Sequence, residues 1–575
     1  MNLMQKTLRP KMLVFLLSFM TFISCSKDND LFLDAVIEPE NPTTVTPTPT
    51  DSTDTETPPV ENPVEEEVDP IGTPVDNTVN IDFNFEAGNN IPLIPANPNR
   101  TIYIAVNGKA SNSGLTQDSP KDIASAFDKS FVQAGDLFYI KAGDYKFDFN
   151  PSNGRQFDLS NLPSSASRPI YWIGYKNTPG DINATEFSTV SWEDYKARPQ
   201  AADRTHSLDS SVMPTFSGNT SRAPQYIGNE SLFWQDGGEQ GFVFRNIQIQ
   251  YFRYGFQFKN LSSSVFENVI IANLGNFEPV EGQGGSNQDL IGKGFSITQK
   301  SDRNVIKNSA TYNMAMIGFS LGEGEHSLIE YCEATSDIDN GNPQDYYFHT
   351  TGKYNLFSHV RANRLISSNH SGHGICFNQL ADNNVMESSK VYGTSIHFDG
   401  AVNCYATNIE IIGDNSYGLY KGGDIIIMDG AENNLIENTT SINGESGISF
   451  SDSGKNSYAE HAGKNNTFRN VTVSNKSLAI IDLNWWNEKD DLSENNAFEN
   501  CKFSNAPYLF VISRSNSNFS FDNCEFTDVN KLQQTSYKNS GNFVLNANTK
   551  FTNSTFSNSE IPNKLDFIIS NLLGN

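Results

Sequence analysis

A short motif recurs at intervals of about 22 residues and strongly limits the folds that the chain can adopt. It consists of an aromatic or branched residue, a polar residue, and then an Asn or its replacement before a new apolar stretch. Asn268 follows Asn246 by 22 residues, and Asn523 follows Asn500 by 23. The copies are Phe244–Ile247, Phe266–Val269, Ile306–Ser309, Ile329–Cys332, Ile436–Thr439, Phe468–Val471, Phe498–Cys501, Phe521–Cys524 and Phe551–Ser554. Longer gaps of about 30 or 40 residues each contain one loop insertion. A basic period of this length is typical of solenoids, in which each repeat packs on its neighbours.

A second motif, Gly followed by an apolar–polar–apolar triplet, accompanies the first. Its copies are Gly255–Phe258, Gly294–Ile297, Gly318–Leu321, Gly374–Phe377 and Gly447–Phe450. Alternation with a period of two residues indicates half-buried strands. We therefore predict an all-β, single-domain parallel β-helix, whose coils pair about 4.8 Å apart and stack apolar residues inside. The Asn of the first motif is expected to form an internal amide ladder at a bend. A helical repeat is disfavoured because the runs are rich in Phe and β-branched residues.

The net charge of the chain limits the classes of partner that it can bind. Of the 575 residues, 40 are Lys or Arg and 67 are Asp or Glu, which gives a formal net charge of −27. Binding to nucleic acid needs a basic surface, so we expect no nucleic-acid partner. A protein that spans the membrane several times is also excluded, because no long apolar run follows the N-terminus.

The N-terminus resembles an export signal. Basic residues precede the apolar run 12–23, which ends at Cys25. Residues 22–25 resemble a bacterial lipobox, although Phe22 replaces the usual Leu, and residues 26–30 resemble the surface-export signal of Bacteroidetes lipoproteins. The resemblance implies a lipoprotein signal peptide over residues 1–24, lipidation of Cys25, and a cell-surface lipoprotein of the outer membrane, which we expect to be monomeric. A plain secreted protein is the alternative.

Residues 25–98 are predicted to be a disordered tether. Its central part, residues 38–76, is dominated by Pro, Thr, Glu, Val and Asp. Such a composition cannot bury enough apolar surface to order itself, and the repelling acidic residues favour an extended chain. The folded domain is accordingly expected over residues 99–575.

The first part of this domain resembles a known family. Residues 102–109, 111–114, 119–123 and 135–145 are similar to the N-terminal segment of right-handed parallel β-helix polysaccharide lyases, closest to the pectate-lyase-like and chondroitinase-B-like groups. The resemblance implies a right-handed solenoid closed by an N-terminal capping helix, here over 120–131, and an extracellular enzyme that degrades polysaccharide. The calcium-binding sets of these groups have no counterpart in this chain, so their catalytic residues cannot be transferred.

Candidate site residues come from stacking the coils by their apolar pairs. This alignment predicts one outward column with His349, Asn378, Asp399 and Asp429, and a neighbouring column with Cys376 and His397. The candidate catalytic residues are His349, His397, Asp399, Asp429 and Lys421. The candidate substrate-binding residues are Lys353, Arg361, Asn378, His370 and Trp485. Asp337, Asp339 and Glu323 are candidate ligands for Ca²⁺, which is the expected cofactor.

Several of these residues also have purely structural explanations. Asp399–Gly400 and Asp429–Gly430 are dipeptides that favour tight turns. Asp337 and Asp339 lie in a polar stretch and are also consistent with a solvated loop. His373 lies two residues before Ile375 and should therefore point to the same side of the strand, so a core or turn position is favoured for it.

Three functions fit the sequence. A lyase would cleave an acidic, uronate-containing polysaccharide by β-elimination, with His349, His397 or Lys421 as the base and Lys353 or Arg361 opposite the carboxylate. A glycoside hydrolase, acting on a polysaccharide that can carry sulfate groups, would use Asp399 and Asp429 as its carboxylate pair. A glycan-binding solenoid without catalysis would instead present aromatic residues and few converging ionisable groups. The resemblance favours the lyase.

Overall fold

The computed structural model describes residues 83, 85–147, 154–184, 208–218, 231–275, 292–336, 346–365, 372–413, 423–451, 461–483, 492–512, 517–535 and 549–561. The chain divides into two units, Met1–Asn80 and Ile81–Asn575, of which the first lies outside the described residues. The signal peptide, Cys25 and most of the tether therefore stay predictions. Among the described residues, no helix is long and apolar enough to cross a membrane.

The described part is a parallel β-helix, as predicted. Every coil contributes up to three strands, and each strand pairs in parallel with its counterpart one coil later. The stacked strands form three long faces, here named sheets 1, 2 and 3 in the order in which a coil visits them. Each face grows by one strand per coil, so a residue's neighbours across a sheet come from adjacent coils.

The strands of sheet 1 are Thr101–Ile104, Leu137–Lys141, Ile170–Tyr175, the first part of Phe242–Gln250, the first part of Val265–Leu274, Val305–Lys307, Leu328–Glu330, Leu356–Ser358, Val385–Glu387, Tyr405–Thr407, Leu435–Glu437, Thr467–Arg469, Asn496–Glu499, Phe519–Asp522 and Lys550–Thr552. The strands of sheet 2 are Gly143–Lys146, Pro214–Ser217, the second parts of Phe242–Gln250 and Val265–Leu274, Ala310–Met314, Glu333–Ser336, Arg361–Arg364, Lys390–Tyr392, Glu410–Ile412, Thr440–Ile442, Thr472–Ser474, the first parts of Lys502–Ile512 and Glu525–Thr535, and Thr555–Ser557.

The strands of sheet 3 are Arg155–Asp158, Ser231–Asp236, Tyr254–Lys259, Lys293–Thr298, Ile317–Ser320, Tyr346–Thr350, His373–Asn378, Ser395–Asp399, Gly423–Met428, Ser446–Ser451, Ala479–Leu483 and the second parts of Lys502–Ile512 and Glu525–Thr535. A small separate sheet contains Ala431–Glu432, His461–Lys464 and Leu492–Glu494. It lies at the turn that leads from sheet 3 back to sheet 1.

The interior is filled by apolar side chains that repeat from coil to coil. On sheet 3, Phe295 stacks on Phe319 at 4.9 Å between ring centroids, and Phe319 stacks on Phe348 at 4.8 Å. These spacings match the distance between neighbouring strands, because each ring lies directly above its counterpart. Inward side chains thus form continuous columns and are almost completely buried. The outward side chains of the same strands are held in equally regular columns.

The predicted Asn ladder is real, but it is not internal. Asn246, Asn268, Asn438 and Asn470 have left-handed backbones, with φ between 50° and 57°, and lie at the bend between sheets 1 and 2. The left-handed conformation, which Asn tolerates, turns the chain sharply there. In the later coils these side chains are exposed. There they bond to one another along the outside, for example from Nδ2 of Asn470 to Oδ1 of Asn438 at 3.2 Å.

The internal ladder uses a different register, directly before the strands of sheet 1. Its fully buried amides are Asn304, Asn355, Asn384, Asn434, Asn466 and Asn496. Nδ2 of Asn434 donates to Oδ1 of Asn466 at 2.9 Å and to the carbonyl of Ala401 at 2.9 Å. Its own Oδ1 accepts the backbone N–H of Cys404 at 2.8 Å. Every polar atom of this amide is therefore paired, which is the condition for burying it at low cost.

The N-terminal boundary differs from the prediction in two ways. Instead of a helix over 120–131, the structure has one short 3-10 helix, Ala124–Phe127, which has no side-chain cap. The folded part also begins before residue 99, because Nδ2 of Asn89 donates to the carbonyl of Arg303 at 2.8 Å and Phe83 stacks on Tyr405 at 4.1 Å. Ile91 and Leu93 cover an apolar patch on the outside of sheet 1, which explains why this part of the predicted tether is ordered.

Replacing Asn434 by Ala should lower the free energy of unfolding by about 1–3 kcal/mol, because the N–H of Cys404 then loses its acceptor inside the solenoid. Urea unfolding followed by circular dichroism measures the change. The matched control is Asn438→Gly, which removes an exposed ladder amide and keeps the left-handed backbone accessible. Equal losses in the two variants would contradict the distinction between the ladders.

Candidate functional site

The outer face of sheet 3 carries one column of polar residues across its middle. Backbone pairing places Ser320 beside His349, His349 beside Cys376, and Cys376 beside His397. Because neighbouring strands lie about 4.8 Å apart, the two histidine backbones are separated by roughly 10 Å. His349 and His397 are nevertheless completely buried, although their strand positions point away from the core.

This register corrects the predicted position of His349. The sequence alignment treated Phe348 as the counterpart of Phe377 and so placed His349 beside Asn378. In the structure Phe348 pairs with Ile375, and Thr350 pairs with Phe377. Thr350 is buried at a position that is apolar in the neighbouring coils, and this polar replacement displaced the alignment by two residues. His349 consequently shares a column with His397 rather than with Asp399.

Tyr346 joins the histidines into one cluster. Its ring centroid lies 4.6 Å from that of His349, and its ring stacks on His373 at 4.9 Å with an angle of 18° between the planes. His373 in turn contacts His397, with 4.0 Å between ring centroids. Three coils therefore contribute Tyr346, His349, His373 and His397 to what we call the Tyr346 cluster. The sequence did not indicate Tyr346 and favoured a structural role for His373. The pairing of His373–Asn378 with the next strand shifts by one residue between His373 and Ile375, so the period-two pattern fails at His373.

Hydrogen bonds fix the rings of the cluster. The hydroxyl of Ser320 lies 3.3 Å from Nδ1 of His349, and that of Ser395 lies 2.5 Å from Nε2 of His397. Nδ1 of His373 is 2.8 Å from Nδ1 of His397, so one of the two imidazoles donates to the other. A hydrogen bond needs an acceptor, so at least one of these two nitrogens must be unprotonated.

The phenol group of Tyr346 is hydrogen-bonded to Asn378, two residues beyond Cys376 on the next coil. Nδ2 of Asn378 donates to the phenol oxygen of Tyr346 at 3.3 Å. The phenol oxygen accepts this bond, and a phenol can also act as a donor. Asn378 pairs with Asp399 on the next coil, so a carboxylate residue adjoins this amide in the sheet.

Burial keeps the histidines neutral. Burial, together with the smaller effects of the positive charge of Lys293 and of the neighbouring His373, lowers the pKa of His349 to about 3. Burial also lowers the pKa of His373 to about 4 and brings that of His397 well below its usual value. At neutral pH the cluster therefore offers uncharged imidazoles and a phenol, which are groups able to accept and donate protons.

Asp399 and Asp429 do not share a column. Asp399 pairs with Met428, and Asp429 lies one residue further, with a left-handed backbone at φ 51°. Its N–H donates to the carbonyl of Ser451 at 3.3 Å. This geometry fits the turn explanation for Asp429–Gly430. The predicted carboxylate pair depended on Asp399 and Asp429 being neighbours in one column, and the strand register does not make them neighbours. Asp399 still adjoins the Tyr346 cluster, since its charge helps to raise the pKa of Cys376.

The predicted substrate-binding residues are distributed over different sides of the solenoid. Asn378 belongs to the site, as described above. Arg361 is buried on the outer face of sheet 2, beside Glu333 and 5.8 Å from the ring centroid of Tyr392. Lys353 lies in the turn after sheet 3, where its Nζ is 3.4 Å from a carboxylate oxygen of Asp382. Sequence analysis could not separate these positions, because it assigned no loop to a particular side.

Five predicted residues lie outside the described part: Asp337, Asp339, His370, Lys421 and Trp485. Of the predicted calcium ligands, only Glu323 is described, and it is exposed in the turn after sheet 3. Within the described ranges, no three His, Cys, Asp or Glu side chains come together in a way that would hold a metal ion. Calcium therefore stays a prediction, and no step of the chemistry below uses it.

The fold and the site define a parallel β-helix protein with a histidine–tyrosine cluster on one outer face. No family model and no curated protein matches the chain. Solved structures that resemble it include the pectate lyase Pel9A, with a TM-score of 0.37, 15% identity, and coverage of 73% of this chain and 79% of that one. An alginate lyase from Paenibacillus sp. str. FPU-7 has a TM-score of 0.34 at 15% identity, covering 73% and 99%. The catalytic domain of GH87 α-1,3-glucanase has a TM-score of 0.28 at 15% identity, covering 81% and 70%. The strand register and the side chains of this chain themselves define the fold and the site.

The low pKa values make the stability of the protein depend on pH. In the unfolded chain His349 and His373 bind protons near pH 6.5, but in the folded protein only near pH 3 and pH 4. The unfolded state therefore binds more protons between these limits. The free energy of unfolding should be highest above about pH 6.5 and should fall by a few kcal/mol as the pH drops through this window.

Urea unfolding at pH 7 and pH 4.5 tests this expectation. The variant His349→Gln should lose less stability over this interval than the wild type, because Gln cannot be protonated. His359→Asn is the matched control, since it also removes an imidazole but places at this bend the residue that most other coils carry. A pH dependence that is identical in all three proteins would show that His349 is not held neutral by folding.

Proposed function

We propose that the chain is a polysaccharide-degrading enzyme, and that the outer face of sheet 3 around the Tyr346 cluster is its active site. The observation that carries the proposal is the convergence of three neutral imidazoles and one phenol, from three coils, on a single face. Structural roles alone do not require such a set, since the same column holds Ser or Gln in the preceding coils. A solenoid face is also a suitable platform for a linear polymer.

The reaction that this set supports best is β-elimination on a uronate. A base must remove the proton next to the uronate carboxylate, and an acid must protonate the departing glycosidic oxygen. We assign the base to His349 and the acid to Tyr346, whose ring lies 4.6 Å from that of His349 and whose phenol accepts a hydrogen bond from Asn378. The amide of Asn378 is also placed to bind the substrate carboxylate, whose charge grows as the proton leaves.

The low pKa of His349 is compatible with this role. A base works best when its pKa lies near the operating pH, whereas the pKa of His349 without substrate is about 3. A bound carboxylate favours the protonated imidazole and therefore raises this pKa. The substrate itself would thus turn a neutral, buried imidazole into an effective base.

Product analysis on a panel of polysaccharides tests the reaction class. We expect a uronate-containing polymer to give both new reducing ends and the ultraviolet absorbance of an unsaturated uronate. Reducing ends without this absorbance would indicate hydrolysis, for which Asp399 is then the acid to examine. Binding without any new ends would indicate a glycan-binding protein. Parallel reactions with a chelator show whether calcium takes part.

Substitution of the two assigned residues should remove turnover. Tyr346→Phe and His349→Gln are each expected to lower kcat by about 10²–10⁴-fold, the usual contribution of a general acid or base. His359→Asn should retain kcat, because His359 stacks on Tyr331 at the bend between sheets 1 and 2. Retained activity in Tyr346→Phe would exclude the phenol as the acid.

The location of the enzyme is proposed from the sequence alone. We place it on the outer-membrane surface as a monomer, attached through a lipid on Cys25, with the acidic segment as a spacer. Cys25→Ser should then move the protein from the membrane pellet to the soluble fraction after export, because a serine cannot carry the thioether-linked lipid. A protein that stays in the pellet would contradict the lipid anchor.

A further inference from the structure

Trp234 lies on the same outer column as His349, nearer the N-terminal end of the solenoid. Backbone pairing connects them through Gln257, Ser296 and Ser320, so that four coil-to-coil steps separate the two residues. At about 4.8 Å per step, the separation along the face is roughly 19 Å. The site around Trp234 is therefore distinct from the Tyr346 cluster but continuous with it along one face.

Two cations from different coils flank the indole ring. Cζ of Arg155 lies 3.7 Å from the ring centroid, and Nζ of Lys259 lies 5.6 Å from it. Arg155 belongs to the coil before Trp234 and Lys259 to the coil after it. A guanidinium over an indole face is a favourable cation–π contact, and it holds the otherwise mobile Arg side chain in place. Arg155 and Lys259 retain 36% and 28% exposure of their side chains, so both can still meet a ligand.

Several cations lie near Trp234 among the described residues. Asp158 lies 3.3 Å from Lys129 and 3.8 Å from Arg155, and Asp236 lies 3.8 Å from Lys259. Lys129, Arg155 and Lys259 thus form ion pairs with these two carboxylates. The paired side chains are partly exposed, so each ion pair is weak. Lys293 adds a further positive charge next to Tyr254, one coil along the face. In a chain with a net charge of −27, this group of cations on one face favours an acidic ligand.

The indole nitrogen is a second, independent indication of a ligand. Trp234 is 9% exposed, and its Nε1 is buried with no hydrogen-bond acceptor among the described residues. Buried donors are normally paired, so an N–H of this kind is suited to an acceptor supplied by a bound molecule. Arg155, Lys259 and the indole N–H together offer donors and positive charge within one small area.

We propose that Arg155, Trp234 and Lys259 form a subsite for the carboxylate of a uronate residue in an acidic polysaccharide chain that extends from the Tyr346 cluster. The identity of the polymer rests on the proposed function, whereas the preference for a carboxylate rests on the charges and donors of this site. The planar guanidinium of Arg155 is suited to a carboxylate, which it can contact through two parallel hydrogen bonds. The subsite thus also explains how a strongly acidic protein would retain an acidic substrate.

Equilibrium binding of polygalacturonate and alginate to the full-length protein tests the subsite, with the carboxyl-reduced polymers as neutral counterparts. We expect Arg155→Gln and Lys259→Gln to raise the Kd for the acidic polymer at least about tenfold each, which corresponds to the loss of one charge-assisted hydrogen bond. Affinity for the reduced polymer should not change. Lys502→Gln is the matched control, because it removes an exposed Lys paired with Glu525 on sheet 2. Melting temperatures confirm that the variants are folded.

A uronate disaccharide separates this proposal from the proposed function, because it is too short to span roughly 19 Å. The rate at which the disaccharide is cleaved at the Tyr346 cluster should be the same in the wild type and in Arg155→Gln. The subsite is wrong if the wild type binds neither acidic polymer, if Arg155→Gln and Lys502→Gln have the same affinity, or if the reduced polymer loses as much affinity as the acidic one. If Arg155→Gln weakens binding while His349→Gln leaves turnover unchanged, the subsite stands and the proposed active site fails.

Discussion

Pairing of successive coils in parallel register is the interaction on which the whole structure depends. Each strand forms backbone hydrogen bonds with the strand one coil earlier and one coil later, so every side chain has a fixed neighbour about 4.8 Å away on either side. Small errors cannot be absorbed locally, because a shift of one residue would exchange the inward and outward faces of a strand. The aromatic stacks and the buried amides stabilise this register from within, since both repeat at the same spacing.

The candidate site is a product of the same register. Tyr346, His373 and His397 belong to three different coils, yet the pairing brings their rings into direct contact. Outward positions on a solenoid are normally solvated, and the burial of these histidines is what removes their charge. A regular scaffold thus creates an environment in which ordinary side chains have unusual protonation. The cationic site around Trp234 lies on the same face, so the geometry that orders the core also aligns the polar groups.

Sequence analysis identified the β-helix and the part of the chain that carries the histidines, but it misplaced individual residues. It treated Asn246 and its counterparts as internal amides, whereas their left-handed backbones direct them outward at a bend. It also paired His349 with Asn378, two residues away from its true partner Cys376, because the buried Thr350 occupies a position that is apolar in the neighbouring coils. Both errors have one cause. A motif shows which residues are equivalent in most coils, but it does not reveal where a coil deviates.

The sequence by itself determined the period of the solenoid, the alternation that makes its strands, and the acidic character of the chain. These properties are local or summed along the chain, so they can be read without knowing the contacts. Only the tertiary structure decided that Tyr346 contacts two histidines, that Asp429 belongs to a turn, and that Arg155 lies over Trp234. The contact of Tyr346 with His373 and that of Arg155 with Trp234 depend on the pairing of residues more than 20 positions apart, and that pairing is set by bends, buried polar residues and loop lengths.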